Sequence, residues 1–95
     1  MKPMMTVLAL LGALTLATPA TAACFVEYKA KQDDPLRLHY GILEISTTSC
    51  PGNAQALAAA RLQNGGWTLL TVLGLSTDTP SAQQRANAGE NYLRF

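Results

Sequence analysis

The stretch LHYGILEISTTSCPGNAQALAAARLQNGGWTLLTVLGL, residues 38–75, decides the fold of this chain. It places two segments of strand character, 38–45 and 67–75, on either side of a segment rich in helix-forming residues. In the first strand, successive side chains alternate between two faces, and Gly41 interrupts the pattern. A glycine inside a strand indicates a bulge or a close approach, such as that of an aromatic ring covering the bare backbone.

The helix is predicted over 54–63. Asn53 precedes it as a favourable N-cap, and 64–66, Asn-Gly-Gly, follows it as a left-handed stop. Its many alanines give a slim helix that can pack close to a sheet. One line of this helix consists of Ala54, Ala58 and Leu62.

The segment 67–75 is a nearly continuous run of aliphatic and β-branched residues directly after the glycine stop. Such a run is typical of a strand that is buried on both faces, so we expect 67–75 to be the most buried strand. The order strand–helix–strand predicts a βαβ unit. If its two strands are neighbours, they are parallel and joined by a right-handed crossover.

Upstream, a hairpin is predicted. Residues 24–29 alternate loosely, and 31–35 has the composition of a turn. A hairpin about Asp34 brings position 24 close to position 45, so that Cys50 could reach Cys24. The hairpin and a disulfide between the two cysteines therefore support each other.

Cys24 and Cys50 are the only cysteines, and His39 is the only histidine. A zinc site needs three or four ligands, and a redox dithiol usually has the Cys-x-x-Cys spacing, so a structural disulfide is predicted instead. Closing a loop of this length contributes about 3.5 kcal/mol in the chain-entropy model. A small domain needs such a staple because its core is small.

The N-terminal segment 1–22 has the three parts of a secretory signal peptide: Lys2, an apolar run over 4–17, and small residues at 20–22. An apolar helix of about 14 residues rises only about 21 Å, which is short of a roughly 30 Å hydrocarbon core, so no stable membrane span is expected. We expect 23–95 to form a single small domain.

That domain is predicted to be periplasmic or secreted, where a disulfide persists. A lipid anchor on Cys24 is an alternative, although Thr21 stands where lipid attachment normally requires a leucine or similar residue. After cleavage, six basic residues balance six acidic ones, which favours neither nucleic acid nor an anionic membrane as a partner. The twelve are Lys29, Lys31, Arg37, Arg61, Arg85, Arg94, Glu27, Asp33, Asp34, Glu44, Asp78 and Glu90.

Downstream, 76–91 is polar. Residues 79–88 are interpreted either as a short helix, with Pro80 at its first position and Gly89 at its end, or as a mobile loop. The segment 92–95, Tyr-Leu-Arg-Phe, suits a short last strand.

No set of residues has the pattern of a nucleophile with its base, a metal site or a cofactor loop. His39 is the only side chain with an ordinary pKa near neutrality, so an enzyme or enzyme inhibitor would depend on it. Asp33 and Asp34 belong to a turn, and Trp67 is interpreted as a core anchor. The sequence thus assigns no catalytic residue, no metal and no cofactor, and leaves the binding residues unidentified.

Three segments, 28–41 (YKAKQDDPLRLHYG), 66–70 (GWTLL) and 88–95 (AGENYLRF), resemble small exported proteins of uncharacterised function from alphaproteobacteria. The resemblance covers most of 23–95 and implies no activity. The strand–helix–strand order is also loosely similar to the peptidoglycan-binding SPOR domain, but the second half of this chain lacks the clear helix that such a domain needs.

We therefore expect an α+β fold: a three- or four-stranded sheet with one main helix on one face, a βαβ unit and the Cys24–Cys50 disulfide. The leading hypothesis is a non-catalytic periplasmic binding or accessory protein. It would take an envelope protein or a peptide by strand addition, at the N-terminal strand or at 92–95. The alternatives are a small periplasmic enzyme or enzyme inhibitor relying on His39, and an envelope protein that is lipid-anchored through Cys24.

Overall fold

A computed structural model of the chain describes residues 22–95. The predicted signal peptide, 1–22, lies outside these residues except for Ala22. The described part is α+β. In chain order its elements are β1 (Cys24–Gln32), β2 (Arg37–Ile45), α1 (Ala54–Asn64), β3 (Thr68–Ser76) and α2 (Ala82–Ala88), followed by a 3-10 turn (Gly89–Asn91).

The predicted hairpin is confirmed. Strands β1 and β2 are antiparallel, with Cys24 opposite Ile45 and Gln32 opposite Arg37. The turn over 33–36 contains Asp34 at φ 60°, in the left-handed region that aspartate tolerates better than most residues. The hairpin thus forms about Asp34 and in the expected register.

The predicted disulfide is also confirmed. Cys24 and Cys50 are bonded, with their Cα atoms 4.9 Å apart, although they are 26 positions apart in sequence. Cys24 is fully buried at the start of β1, so the bond ties the loop before α1 to the core.

The three strands of the sheet have the order β2-β1-β3, and β1 is antiparallel to both neighbours. Strands β2 and β3 therefore run in the same direction, but β1 lies between them. The connection through α1 crosses over this middle strand, so the predicted βαβ order is present although its strands are not neighbours. The described residues form three strands, the smaller of the two predicted numbers.

The prediction that 67–75 is the most buried strand is wrong. No residue of β3 is fully buried, whereas alternate residues of the central strand β1 are. The pairing of β1 with β3 explains why the apolar residues of β3 are largely exposed. Leu73 and Leu70 have no pairing partner in β1, because each is the extra residue of a β-bulge.

Because of the bulge at Leu70, the two side chains of β3 that pack against the core, Leu69 and Val72, are three positions apart instead of two. Leu69, Val72 and Leu75 pair with the buried residues of β1. Leu70, Leu73 and Leu75 are left about half exposed. The continuous apolar run therefore belongs to a bulged edge strand and not to a strand buried on both faces.

Helix α1 covers one face of the sheet. The structure shows that the line of Ala54, Ala58 and Leu62 is the one that faces the core. They pack against a cluster formed by Cys24, Val26, Tyr28, Ala30, Leu43 and Ile45. The glycine stop is confirmed, with Gly66 at φ 84°. Asn53 differs from its prediction as an N-cap: at φ −101° and ψ 22°, its side chain makes no capping hydrogen bond.

Helix α2 lies on the other face, against β2. It begins after Ser81, not at Pro80, because Ser81 and Gln84 form a capping box that satisfies two backbone N–H groups reciprocally. It ends at Gly89, as predicted. The segment 92–95 is not a strand: Tyr92 makes one isolated parallel bridge to Ile42. No helix in the described part of the chain is long and apolar enough to cross a membrane.

Candidate functional site

An aromatic cluster of Tyr28, His39, Trp67 and Phe95 lies beyond the C-terminal end of α1. Tyr28 is fully buried, and its Oη is 2.9 Å from His39 Nε2 in a hydrogen bond. Tyr28 reaches this position because Gly41, directly opposite it in β2, has no side chain. A Cβ at position 41 would lie 2.5 Å from Tyr28 Oη. The expected aromatic ring over Gly41 is therefore present.

The imidazole of His39 is enclosed by two further rings. Trp67 meets it edge to face, with ring centroids 4.2 Å apart, and Phe95 stacks on it at 5.6 Å and 12°. Phe95 in turn covers Gly65, where a Cβ would be 2.6 Å from the ring. The guanidinium of Arg94 lies 5.3 Å from the Phe95 ring centroid. Trp67 thus packs against the core from its edge, as a part-buried anchor.

The surroundings of His39 favour its neutral form over the imidazolium. Burial lowers its pKa from 6.5, the charge of Arg94 lowers it further, and Glu90 acts in the opposite direction. An imidazolium needs an acceptor for both N–H groups, but Nδ1 is buried with no hydrogen-bond partner among the described residues. His39 Nε2 is hydrogen-bonded to Tyr28 Oη. Burial raises the pKa of Tyr28 to about 12, although the charge of Arg94 acts to lower it. Neither nitrogen of His39 is therefore presented to a substrate in this arrangement.

A polar cleft of about 610 Å³ opens beside the aromatic cluster. His39 and Trp67 form part of its wall. Its charged groups are Arg37 from β2, Arg94, and Glu90 from the 3-10 turn. Arg37 donates a hydrogen bond to the side chain of Gln32, at the end of the neighbouring strand.

On the face away from α1, Glu27 joins the sheet to α2. Its carboxylate accepts a hydrogen bond from the hydroxyl of Tyr40 and one, at 3.4 Å, from Gln84 Nε2. Burial raises the pKa of Tyr40 to about 12, and the hydrogen bond to Glu27 and the charge of Glu27 contribute in the same direction. Glu27 is therefore a positioning residue for α2.

The same face carries a groove that α2 leaves uncovered. We call it the leucine groove: it has a volume of about 240 Å³, and its walls include Lys29, Leu38, Tyr40 and Leu70. It crosses all three strands, because Lys29 belongs to β1, Leu38 and Tyr40 to β2, and Leu70 to β3. Leu38 is 66% exposed and Leu70 is 50% exposed. These are large apolar side chains that the described residues do not cover.

The edges predicted to take a peptide are placed differently. The N-terminal strand β1 is the central strand and is paired on both sides, so its prediction as an exposed edge is wrong. The segment 92–95 contributes one bridge only. Strand β3 is an edge strand, but its two bulges interrupt the regular backbone spacing on which strand addition relies.

The other residues considered in the sequence analysis, Asp33 and Cys24 among them, have structural roles. Asp33 lies 3.3 Å from Lys31 at the exposed hairpin turn and lines neither the polar cleft nor the leucine groove. Cys24 is bonded to Cys50, so its sulfur is not available for lipid attachment in this form. Within 22–95, no three His, Cys, Asp or Glu side chains are arranged to hold a metal ion.

Comparison with protein-family models, with curated proteins and with solved structures finds no match to this chain. Sequence reasoning missed the leucine groove and the role of Phe95. The groove depends on the β-bulges of β3, and no pattern in the sequence predicts those bulges. The stacking of Phe95 on His39 joins positions that are distant in sequence. Only the glycine at position 65, covered by that ring, gave a local signal of close approach.

Proposed function

We propose that this protein is an exported, non-catalytic binding module that holds an amphipathic helix of a partner protein in the leucine groove. The observation that carries the proposal is the exposure of Leu38 and Leu70 at a groove that crosses the whole sheet. Large apolar side chains grouped in a concave site are typical of recognition surfaces.

A helix fits this face better than an added strand. Helix α1 covers one face of the sheet, and α2 covers only the β2 side of the other. A second helix beside α2 would complete the layer that a half-covered sheet lacks. The side chains of such a helix would contact Leu38, Tyr40 and Leu70 and would not use the backbone of β3, whose bulges oppose regular pairing.

Charge adds a second requirement on the partner. Lys29 is exposed at the groove, and no carboxylate is among the residues that line it. An acidic residue beside the apolar stripe of the partner helix would pair with Lys29 and select the orientation of binding. We therefore expect a partner helix with leucine-like residues on one face and a carboxylate at its border.

Export is supported by the leader-like segment 1–22 and by the disulfide, which persists in oxidising compartments. Cell fractionation with mass spectrometry tests it. We expect a polypeptide that begins near Ala23, in the periplasm or medium, with the mass of the disulfide form. A full-length, reduced chain in the cytosol would contradict export, and an acylated N-terminus at Cys24 would establish the lipid-anchored alternative.

The groove is tested by NMR titration of the purified protein with a synthetic helix that carries leucines at i, i+3, i+4 and i+7 and glutamates beside them. We expect saturable shift changes at residues 29, 38, 40 and 70. The variants Leu38→Gln and Leu70→Gln should each weaken binding about tenfold, as is usual when a central apolar contact is lost.

The matched control is Leu57→Gln, which changes a leucine that is 37% exposed on α1, on the opposite side of the sheet. It should bind the helix as the parent protein does. A second helix with lysines in place of glutamates should bind more weakly because of Lys29. Shift changes that map along β3 alone, or equal losses in all three variants, would contradict the proposal.

A further inference from the structure

We propose that the polar cleft beside the aromatic cluster is a binding site for a small carboxylate that carries a flat ring. The cleft shares Leu38 and His39 with the leucine groove, but its charged residues lie outside that groove, and the proposal does not depend on the proposed function. Its volume of about 610 Å³ lies within the range of small-molecule sites.

The charges of the cleft favour an anion. Among the residues that line the cleft, two are basic, Arg37 and Arg94, and one is acidic, Glu90. The two arginines come from different parts of the fold, the start of β2 and the C-terminal segment after the 3-10 turn. Guanidinium groups bind carboxylates through paired, charge-assisted hydrogen bonds. The side chain of Gln32 already holds Arg37 by a hydrogen bond, which reduces the side-chain freedom lost when a ligand binds.

The wall of the cleft favours a ring. Trp67 and His39 both line it, and both are flat. His39 is fixed by Tyr28 on one side and by Phe95 on the other, so the wall is rigid before a ligand enters. Aromatic rings pack on such surfaces in stacked or edge-to-face geometry. A ligand with a carboxylate at one end and a ring at the other would therefore use both features of the cleft.

Trp67 is the only tryptophan of the chain, so its fluorescence reports on this cleft directly. The purified protein is titrated with benzoate, with the uncharged analogue benzamide and with acetate, which lacks the ring. We expect a saturable change with benzoate at millimolar concentration, a weaker response to acetate and the weakest response to benzamide. NMR shift changes at His39 and Trp67 should accompany the fluorescence change.

The variants Arg37→Gln and Arg94→Gln should each lower the affinity for benzoate about tenfold, since each removes one charge-assisted pair. Arg85→Gln is the matched control: it removes one positive charge from α2, on the opposite face of the sheet, and should leave the affinity unchanged because Arg85 lines neither the polar cleft nor the leucine groove. Thermal unfolding shows whether Arg94→Gln also disturbs Phe95. Arg37→Gln, which does not contact that ring, provides the independent measurement.

A ring-bearing carboxylate occurs in free aromatic acids and at the C-terminus of peptides that end in an aromatic residue. Benzoate represents the first source and N-acetylphenylalanine the second, so the tighter of the two identifies the source. The proposal is overturned if neither ligand changes the signals of Trp67 and His39. It is also overturned if benzamide binds as tightly as benzoate, or if Arg85→Gln weakens binding as much as Arg37→Gln and Arg94→Gln do.

Discussion

Gly41 shows how a single missing side chain organises this core. The Tyr28 ring occupies the space where a side chain at position 41 would stand, and from there its hydroxyl reaches His39. The hydrogen bond in turn fixes the imidazole against Trp67 and Phe95. The aromatic cluster therefore depends on a residue that contributes no atoms to it.

Replacing Gly41 with alanine should destabilise the protein by about 1–3 kcal/mol, as overpacking of a filled site usually does. The new Cβ would lie 2.5 Å from Tyr28 Oη and 2.7 Å from Cζ, and the fully buried ring has little room to move away. Denaturant unfolding measures the change. Gly52→Ala is the control, since nothing lies within 4 Å of a Cβ at that position. Equal stability of the two variants would contradict this account.

The lowered pKa of His39 predicts a pH dependence of stability. Because burial holds the folded-state pKa below 6.5, the unfolded chain binds a proton more readily than the folded protein. The contribution of His39 is complete above pH 6.5 and decreases as the pH falls from 6.5 towards the folded-state pKa. The difference in unfolding free energy between the parent and His39→Gln should therefore shrink on acidification. A difference that grows instead would show that the pKa is raised.

At the scale of elements, the β-bulges of β3 and the capping box of α2 determine how much of the sheet stays exposed. The bulges at Leu70 and Leu73 leave only Leu69 and Val72 of β3 packed against the core, while Leu70, Leu73 and Leu75 are about half exposed. The capping box at Ser81 starts α2 two residues after the buried Pro80 and so limits how much of the sheet it covers. The uncovered remainder is the leucine groove.

Ser81→Ala should lower the unfolding free energy by about 1 kcal/mol, because Gln84 N–H loses its acceptor at the first turn of α2. Hydrogen exchange should show faster opening of α2 than of α1. Thr77→Ala, which changes an exposed threonine in the bend before α2, serves as the control and should be close to neutral. Equal effects of the two substitutions would mean that the capping box does not hold the helix.

At the scale of the molecule, the core is small and one covalent bond supplements it. The largest fully buried side chains are Tyr28, Ile42, Leu43, Leu62 and Val26, together with the half-cystine Cys24. Few buried groups leave a small net stability in a domain of this size. The disulfide closes the path from β1 through β2 to the loop before α1.

Reduction of the disulfide should therefore lower the unfolding free energy by about 3.5 kcal/mol, the value that the chain-entropy model gives for a loop of this length. Denaturant unfolding of the oxidised and the reduced protein measures the difference in unfolding free energy without any substitution. The double variant Cys24→Ala and Cys50→Ala should not respond to the reductant. A reduced form as stable as the oxidised one would show that the core alone maintains the fold.

The sequence by itself determined the hairpin about Asp34, the register that places position 24 opposite 45, and the disulfide. Each follows from turn chemistry, from alternation or from a pairing with one solution, and these are properties of residues close in sequence or unique in it. Only the tertiary structure decided that β1 is the central strand, that β3 is a bulged edge, and that Phe95 stacks on His39. These depend on which distant segments compete for the same surface, because an apolar run such as 67–75 satisfies a central strand and a bulged edge equally well until its neighbours are in place.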